Sequence, residues 1–379
     1  MLILMTTDAV GGVWNYSVRL AEALRDYPVR IALAIMGPAP SEAQRQEALR
    51  LARVELHEST FKLEWMNDPW NDVTAAGEWL LHLEHRLRPD IIHLNGYVHA
   101  ALPWSHPVLV VAHSCVCSWY EAVRNREPTV EWDEYRRRVA RGLRHADLVT
   151  APTQAMLETL GRHYGPFSSA GPIYNGCDPL DPAEGEPEPF VLTVGRLWDP
   201  AKGIGVLDRA ARDIRWPVLA AGATEGPDEQ SIALKNIRGL GSLDQRALHQ
   251  WYHRASIFAS PSVYEPFGLA ALEAALAGCA LVLGDIPTLR EIWADAAMFV
   301  PPEDHRVLAQ GVNRLIEDIS LREEYGRRAR CKARTYTMGR MARRYHQLYH
   351  ELLRRKEFPA LANIAGGPSR GQAAFPGVS

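Results

Sequence analysis

The side chains best placed to do chemistry lie in the segment 258–291. Two carboxylates, Glu265 and Glu273, are separated there by seven residues. The short apolar run at 257–259 is typical of a buried parallel strand, and Glu265 follows it in a loop rich in Pro and Gly. Strong helix formers occupy 269–277, and Gly278 is placed to end the helix. The pattern therefore predicts Glu265 in a strand-to-helix loop and Glu273 about one turn into the helix.

Such a loop suits a phosphorylated or sugar ligand. Ligands of open α/β sheets bind at the carboxyl ends of the strands, and the start of a helix offers free N–H groups to phosphate or sugar oxygens. Gly268 can place bare backbone against a ligand. Glu273 is flanked by small apolar residues and should be paired or ligand-bound, because burying a lone carboxylate is costly. The alternative is a plain packing helix whose Glu273 pairs with an Arg.

A second loop carries positive charge. The apolar run 190–194 predicts a strand, and a helix begins at Ile204, with Arg196 and Lys202 in the loop between them. An Arg supplies a fork of donors and a Lys a point charge, so the two can clamp a diphosphate. Ordinary surface basic residues are the alternative.

A glycine loop follows the first predicted strand, Leu2 to Thr6. Gly11 and Gly12 precede a helix predicted over 13–24. A strand, glycine loop and helix in this order place backbone N–H groups where an anion can bind. The loop is not a GxGxxG motif and lacks the following acidic residue, which disfavours a dehydrogenase. An ordinary tight turn is the alternative.

His113 follows the predicted strand 107–112. The carboxyl end of a buried strand is where this architecture places site residues, although a lone His there can be structural. We interpret His93 as structural. Trp14 and Trp119 each closely follow a predicted site loop and are candidates to stack on an acceptor molecule; core packing is the alternative for both.

Composition bounds the class of protein. A chain of 379 residues, 47% of them hydrophobic, should form about two domains with real cores. The net charge of −3 argues against a nucleic-acid partner. Five cysteines without a framework spacing indicate a reducing compartment. No stretch approaches the about 20 apolar residues of a membrane helix. The sequence predicts a soluble, cytoplasmic protein; peripheral membrane contact through the basic stretch 135–144 is less favoured than a solvated helix face.

The segment Pro261–Gly278 resembles the glutamate-x7-glutamate signature of the retaining glycosyltransferases with the GT-B fold, family 4 (glycosyl transferases group 1). Further segments match elements of that family, and the resemblance covers about residues 1 to 355. The matching segments are the Gly11-Gly12 pair, 111–114, 172–178, 195–203 and 237–241.

The resemblance implies an α/β protein of the GT-B fold: two doubly wound, Rossmann-like domains that face each other across a cleft. The first domain is predicted over 1–178 and would bind the acceptor, and a helix at 338–356 would cross back onto it. The second, over 179–337, would bind the nucleotide sugar. The remaining 357–379 is predicted to be a flexible tail, because it is rich in Ala, Gly, Pro and Ser.

Four side chains receive catalytic roles from the resemblance. Arg196 and Lys202 would neutralise the leaving diphosphate, while Glu265 and His113 would hold and polarise the donor sugar. Growing negative charge would thus be stabilised by preorganised electrostatics, which typically contributes more to such catalysis than any other effect.

The donor-binding roles follow in the same way. Gly11 and Gly12 would approach the donor phosphates, Glu273 would hold the ribose hydroxyls, and the backbone at Leu240 would read the nucleobase. The sugar itself would lie against the start of the helix, at Phe267, Gly268 and Leu269.

The resemblance implies the retaining transfer of a hexose from a nucleotide-diphosphate sugar, with a UDP-sugar favoured. The acceptor would be a hydroxyl on a saccharide, a lipid-linked sugar or a small metabolite. No Asp-x-Asp motif is present, and neither a metal nor another cofactor is expected. The alternatives are a GT-B sugar-nucleotide epimerase, which would turn over donor without acceptor, a phosphorylase, and a non-catalytic nucleotide-sugar or glycan-binding protein.

Overall fold

The computed structural model describes residues 1–180, 186–226 and 230–357. The tail predicted over 357–379 therefore lies almost wholly outside the described residues, as do residues 181–185, next to the predicted boundary between the domains. The described chain forms two six-stranded parallel sheets, each built from one half of the sequence.

The first sheet has the strand order β3-β2-β1-β4-β5-β6, which is that of a doubly wound sheet. Its strands are β1 (Leu2–Asp8), β2 (Arg30–Met36), β3 (Val54–Glu58), β4 (Ile91–Leu94), β5 (Val108–Val111) and β6 (Leu148–Thr150). Its helices are α1 (Gly12–Ala23), α2 (Glu42–Leu49), α3 (Trp70–Leu87), α4 (Val116–Arg124), α5 (Asp133–His145) and α6 (Gln154–Tyr164).

The second sheet has the order β12-β11-β10-β7-β8-β9, so β9 is an edge strand. Its strands are β7 (Glu188–Val194), β8 (Val218–Ala221), β9 (Arg238–Gly241), β10 (Ala255–Ser260), β11 (Ala280–Gly284) and β12 (Met298–Val300). The helices of this half are α7 (Ile204–Ala210), α8 (Gln245–Arg254), α9 (Leu269–Ala277), α10 (Pro287–Trp293), α11 (His305–Glu317) and α12 (Ile319–Ala333).

Both faces of the first sheet are covered, which explains why its strands are continuous apolar runs. In β1, Leu4 packs into the core on one face while Ile3 and Met5 pack on the other. Strand β3 was not predicted, because its five residues are only partly buried at the sheet edge and lack such a run. The paired strands end together, so their carboxyl-terminal loops gather at one edge of the sheet.

The last described helix, α13 (Met338–Glu357), returns to the first sheet as predicted. Met341, Tyr345, Leu348 and Leu352 recur at helical spacing and are all buried in the core that contains Ile3. The C-terminal helix therefore joins the two halves of the molecule. In the described part of the chain, no helix is both long and apolar enough to cross a membrane.

Candidate active site

The loop that carries Glu265 connects β10 to α9, as the sequence predicts. Gly268 caps α9 with φ of 91°, a left-handed conformation that favours glycine. An added Cβ there would also lie 3.1 Å from the Leu289 side chain. Gly278 ends the helix in the same conformation, with φ of 102°. These two glycines fix where α9 begins and ends, and so where its free N–H groups point.

Lys202 and Glu265 come together although 63 positions separate them. Nζ of Lys202 lies 2.5 Å from Oε2 of Glu265, and both side chains are less than one-fifth exposed. Thr288 at the start of α10 donates a hydrogen bond of 2.6 Å to the main-chain oxygen of Glu265. The basic loop and the glutamate loop thus form one charged surface at the carboxyl edge of the second sheet.

Arg196 lies on the same basic loop, and its side chain is exposed to solvent. Its side chain is 56% exposed and donates one hydrogen bond, from Nη2, to Oδ2 of buried Asp199 at 2.8 Å. The positive charge of Arg196 also acts on Asp8, at the carboxyl end of β1. Burial raises the pKa of Asp8, while the Val10 N–H and the Arg196 charge oppose that rise. Arg196 therefore faces the first domain with donors left for an anion.

Glu273 has the Arg partner that the alternative interpretation required, and it comes from the other domain. Nη2 of Arg19, on α1, lies 3.1 Å from Oε1 of Glu273. The Glu273 carboxylate is buried and has capacity for further hydrogen bonds, since an ionised carboxylate offers about four lone-pair positions. No motif in α1 singled out Arg19, and only the tertiary structure brings it here.

The loop between β1 and α1 leaves open space above its glycines. A Cβ added to Gly11 or to Gly12 would meet no atom within 4 Å. Packing within the protein therefore does not require glycine at either position. The space and the adjacent free N–H groups of α1 suit an anionic ligand.

The prediction for Trp14 is wrong. Its side chain is 1% exposed in the core of the first domain, and its indole N–H donates to Oε2 of Glu47 at 3.0 Å. The side chain lies on the face of α1 that packs on the sheet, so it cannot stack on an acceptor. Trp119 on α4 is partly exposed, with the Arg124 guanidinium 5.7 Å from the ring centroid, and stays a prediction.

His113 follows β5 and is partly exposed. Its Nε2 lies 2.8 Å from Oδ1 of Asn95, and the Tyr16 ring meets it edge-on with centroids 4.4 Å apart. Burial lowers the pKa of His113 to about 4, so the ring is neutral at physiological pH. His93 is fully buried beside it and hydrogen-bonds the hydroxyl of Tyr349 at 2.8 Å, which agrees with a structural role.

Tyr264, which the sequence analysis did not single out, connects the glutamate loop to the first domain. Tyr264 precedes Glu265, and its hydroxyl lies 2.7 Å from Oγ of Ser118 and 3.3 Å from the N–H of Cys115, both in the first domain. The glutamate loop is thereby held against the segment that follows His113. The predicted groups of the two domains consequently face one cleft. A tyrosine beside a candidate catalytic glutamate was the only sequence signal.

Two predicted donor contacts are available only through the backbone. The Phe267 side chain is 3% exposed and packs in the core. Leu240 lies on edge strand β9 with its side chain against the same core, and an edge strand keeps free N–H and C=O groups. Leu269 lines a small apolar pocket between the domains, together with Tyr16 and Arg19.

Two further expectations concern metal binding and the basic stretch on α5. Within 1–180, 186–226 and 230–357, no group of three or more His, Cys, Asp or Glu side chains is arranged to hold a metal ion. On α5, Arg137 and Arg138 both pair with Glu134, and Arg136 pairs with Glu127. Because these arginines pair with carboxylates of the same chain, the stretch fits the solvated helix face that the sequence favours over membrane contact.

Solved structures show the class to which this two-sheet architecture belongs. Sucrose-phosphate synthase from Thermosynechococcus elongatus superposes with a TM-score of 0.77 at 19% identity, over 93% of this chain and 99% of that one. HepE of Anabaena, in complex with UDP-glucose, superposes with a TM-score of 0.75 at 18% identity, over 93% of this chain and 100% of that one. The fold is GT-B, two α/β domains across a cleft.

The two halves also match family models. Residues 10–179 match Glycosyltransferase Family 4, and residues 188–318 match Glycosyl transferases group 1. A glycogen synthase of Mycobacterium tuberculosis is 27% identical over 332 residues, 77% of each chain. A phosphatidyl-myo-inositol mannosyltransferase of Mycolicibacterium smegmatis is 29% identical over 42% of this chain and 44% of that one. The chain belongs to family 4 of the glycosyltransferases and is a hexosyltransferase.

Proposed function

We propose that the enzyme transfers a hexose from a UDP-sugar to a hydroxyl acceptor, with retention of the anomeric configuration and without a metal ion. The observation that carries the proposal is the pairing of Lys202 with Glu265 beside the start of α9. One side of the cleft thus combines a cation for a phosphate, a carboxylate for sugar hydroxyls and free helix N–H groups.

The positive charges and N–H donors of the protein support a reaction that needs no metal ion. As a diphosphate leaves, negative charge grows on its oxygens, and fixed donors aimed at them lower the barrier. Lys202, the exposed guanidinium of Arg196 and the start of α9 are such donors. The open loop at Gly11 and Gly12 adds N–H groups from the first domain.

The same arrangement supports a position for each substrate in the cleft. The nucleotide would lie on the second domain, with Glu273 on the ribose and the free edge of β9 on the base. The acceptor would approach from the first domain, near His113 and Trp119. UDP is favoured because the structurally similar HepE binds UDP-glucose. Closure over the donor would exclude water and limit hydrolysis.

A thermal-shift panel tests the donor. UDP, GDP, ADP and TDP and their glucose conjugates are compared with and without EDTA, because a ligand of the native state raises Tm. We expect a shift with UDP and UDP-glucose that EDTA leaves unchanged. A shift with another nucleotide would correct the donor, and one abolished by EDTA would contradict metal independence.

Turnover distinguishes the enzyme from the alternatives. We expect Lys202→Ala to lower the rate of UDP release by about 10²–10³, the usual cost of removing one electrostatic donor. Arg212→Ala, at an exposed position of the same domain, is the control. Anomeric proton couplings of the product report retention or inversion. Conversion of the donor sugar without any acceptor would instead identify an epimerase, and donor binding without turnover would identify a binding protein.

A further inference from the structure

We infer that Asn95 is a positioning residue that fixes the tautomer of His113, so that Nδ1 of His113 serves the sugar site as a hydrogen-bond acceptor. The inference deepens the proposed function, because it rests on His113 belonging to that site. Asn95 directly follows β4 and shares with His113 the carboxyl edge of the first sheet.

The orientation of the Asn95 amide follows from its partners. Nδ2 donates to the main-chain oxygen of Thr6 at 2.7 Å and to Oγ of Ser17 at 3.3 Å. The main-chain N–H of Asn95 donates to Oγ1 of Thr6 at 2.9 Å. A carbonyl oxygen only accepts, so a flipped amide would hold two oxygens 2.7 Å apart without a proton between them. Oδ1 must therefore face His113.

The protonation of His113 follows from that orientation. Nε2 lies 2.8 Å from Oδ1 of Asn95, and Oδ1 cannot donate, so Nε2 carries the proton. The neutral ring has one proton only, and Nδ1 is consequently an acceptor. Within the described parts of the chain, no group hydrogen-bonds Nδ1. The titratable groups beside the ring are Tyr16 on α1 and His93 on β4. The hydrogen bonds of His93 go to the hydroxyls of Tyr349 and Tyr16.

This arrangement predicts what His113 recognises. Nδ1 accepts a hydrogen bond from a sugar hydroxyl and repels a group that only accepts, such as a carboxylate. It does not act as a general acid, because Nδ1 has no proton to give. Burial keeps the ring in this form, since it lowers the pKa of His113 to about 4.

The first test is an NMR measurement on the ligand-free enzyme labelled with ¹⁵N-histidine. Chemical shifts and couplings of the ring nitrogens distinguish the two tautomers, and His113→Gln identifies the signal by its loss. We expect a protonated Nε2 and an unprotonated Nδ1. A protonated Nδ1, or rapid averaging between the two forms, would overturn the inference. This result does not depend on any donor or acceptor.

The second test is Asn95→Asp, which keeps an acceptor beside Nε2 and adds a negative charge. The variant also loses the hydrogen bond to the main-chain oxygen of Thr6, because a carboxylate oxygen only accepts. An opposite charge at this distance raises the pKa of a histidine by about 1 to 3, and NMR titration of His113 measures it. Ser17→Ala is the matched control, because it removes one hydrogen bond of Asn95 and leaves Oδ1 in place. An unchanged pKa in Asn95→Asp, or an equal change in Ser17→Ala, would contradict the role of Asn95. If Asn95→Asp does not fold, the NMR spectrum of the wild-type enzyme still decides which nitrogen of His113 carries the proton.

The third test asks whether Nδ1 of His113 contacts the donor sugar. It compares the affinity for UDP-glucose with the affinity for UDP, which lacks the sugar. In Asn95→Asp, acidification protonates Nδ1, and the preference for UDP-glucose over UDP should fall about tenfold, the equivalent of one hydrogen bond. A purely structural defect would weaken both ligands at every pH. If the wild-type enzyme binds neither ligand, the proposed donor is wrong while the tautomer result stands.

Discussion

Each of the two carboxylates of the signature segment has a cationic partner within the protein. Glu265 pairs with Lys202 and Glu273 with Arg19. Partly buried pairs of this kind are expensive to break from one side, because the remaining charge is left without a partner. In the proposed function, the nucleotide sugar would bind these carboxylates beside their cationic partners, or in place of them. The ribose hydroxyls would use the lone pairs of Glu273 that Arg19 leaves free.

The ribose role of Glu273 predicts a loss of discrimination between nucleotides. Wild-type enzyme should bind UDP about tenfold more tightly than 2′-deoxy-UDP, the equivalent of one hydrogen bond. Glu273→Gln should bind UDP more weakly and lose most of that ratio, as titration calorimetry would measure. Glu323→Gln, on the exposed face of α12, is the control and should keep the ratio. An undiminished ratio in Glu273→Gln would exclude the ribose role.

His113 predicts a pH dependence of stability. Burial lowers its pKa from 6.5 to about 4, so between these values the unfolded chain binds the extra proton. The neutral ring's contribution to stability is complete above pH 6.5 and is lost as the pH falls toward 4. His113→Gln should therefore lose stability less steeply than wild type on acidification, by about 1.4 kcal/mol per pH unit. Urea unfolding over the range from about pH 4.5 to about pH 6.5 measures the slopes.

The control for this slope is His82→Gln, at an exposed position of α3. Its unfolding free energy should follow the wild-type curve at every pH. Parallel curves for wild type and His113→Gln would show that His113 titrates in the folded enzyme as it does in the unfolded chain. That result would also remove the physical reason for a neutral ring in the site.

At the scale of elements, α13 is fastened to the first sheet by polar contacts as well as by its apolar stripe. The Tyr349 hydroxyl hydrogen-bonds Nδ1 of His93, and the Tyr16 hydroxyl lies 3.4 Å from Nε2 of the same ring. Tyr16 also meets the His113 ring. The helix that joins the two halves of the molecule is thus connected to His113 of the candidate site through His93 and Tyr16.

Tyr349→Phe should destabilise the fold by about 1–3 kcal/mol, because it leaves a buried nitrogen of His93 without its partner. The free energy of unfolding in urea measures the effect. Tyr325→Phe is the matched control, since the Tyr325 hydroxyl forms no hydrogen bond within the described part of the chain, and its cost should be smaller. Equal costs for the two variants would show that the contact with His93 adds nothing.

At the scale of the whole molecule, several polar contacts join the domains across the cleft. The Glu291 carboxylate, on α10, accepts from the N–H groups of Gln154 and Ala155 at 2.8 Å each. A carboxylate of the second domain therefore caps α6 of the first, where a negative charge is favoured by the helix dipole. Thr153 adds a hydrogen bond of 3.1 Å to the main-chain oxygen of Pro266.

Glu291→Gln should shift the domains toward a more open arrangement, because it removes the negative charge and replaces one of the two capping oxygens with an NH2 group that cannot accept. The loss of a helix cap typically costs about 0.5–2 kcal/mol. We expect a larger radius of gyration by small-angle X-ray scattering and faster donor hydrolysis, since an open cleft admits water. Glu158→Gln, on the exposed face of α6, is the control. An unchanged radius and hydrolysis rate in Glu291→Gln would show that this cap does not hold the domains together.

Much of the site could be predicted because its features are local in the chain. The run from β10 through Gly268 to α9 depends on backbone propensities within one continuous segment, and the family pattern lies in the same stretch. The apolar face of α13 is local in the same sense, because Met341, Tyr345, Leu348 and Leu352 recur at helical spacing within one segment. The position of the boundary between the domains, near 178, stays a prediction, as do the catalytic and binding roles of the site residues.

The sequence alone determined which residue types line the loops at the ends of the strands, because local steric and polar preferences decide strand, turn and helix. Only the tertiary structure decided their partners. Arg19 and Glu273 are 254 positions apart, and no local pattern reports a contact that forms only when two domains meet. The burial of Trp14 and the hydrogen bond of Asn95 to His113 have the same cause, since packing selects which face of an element points inward.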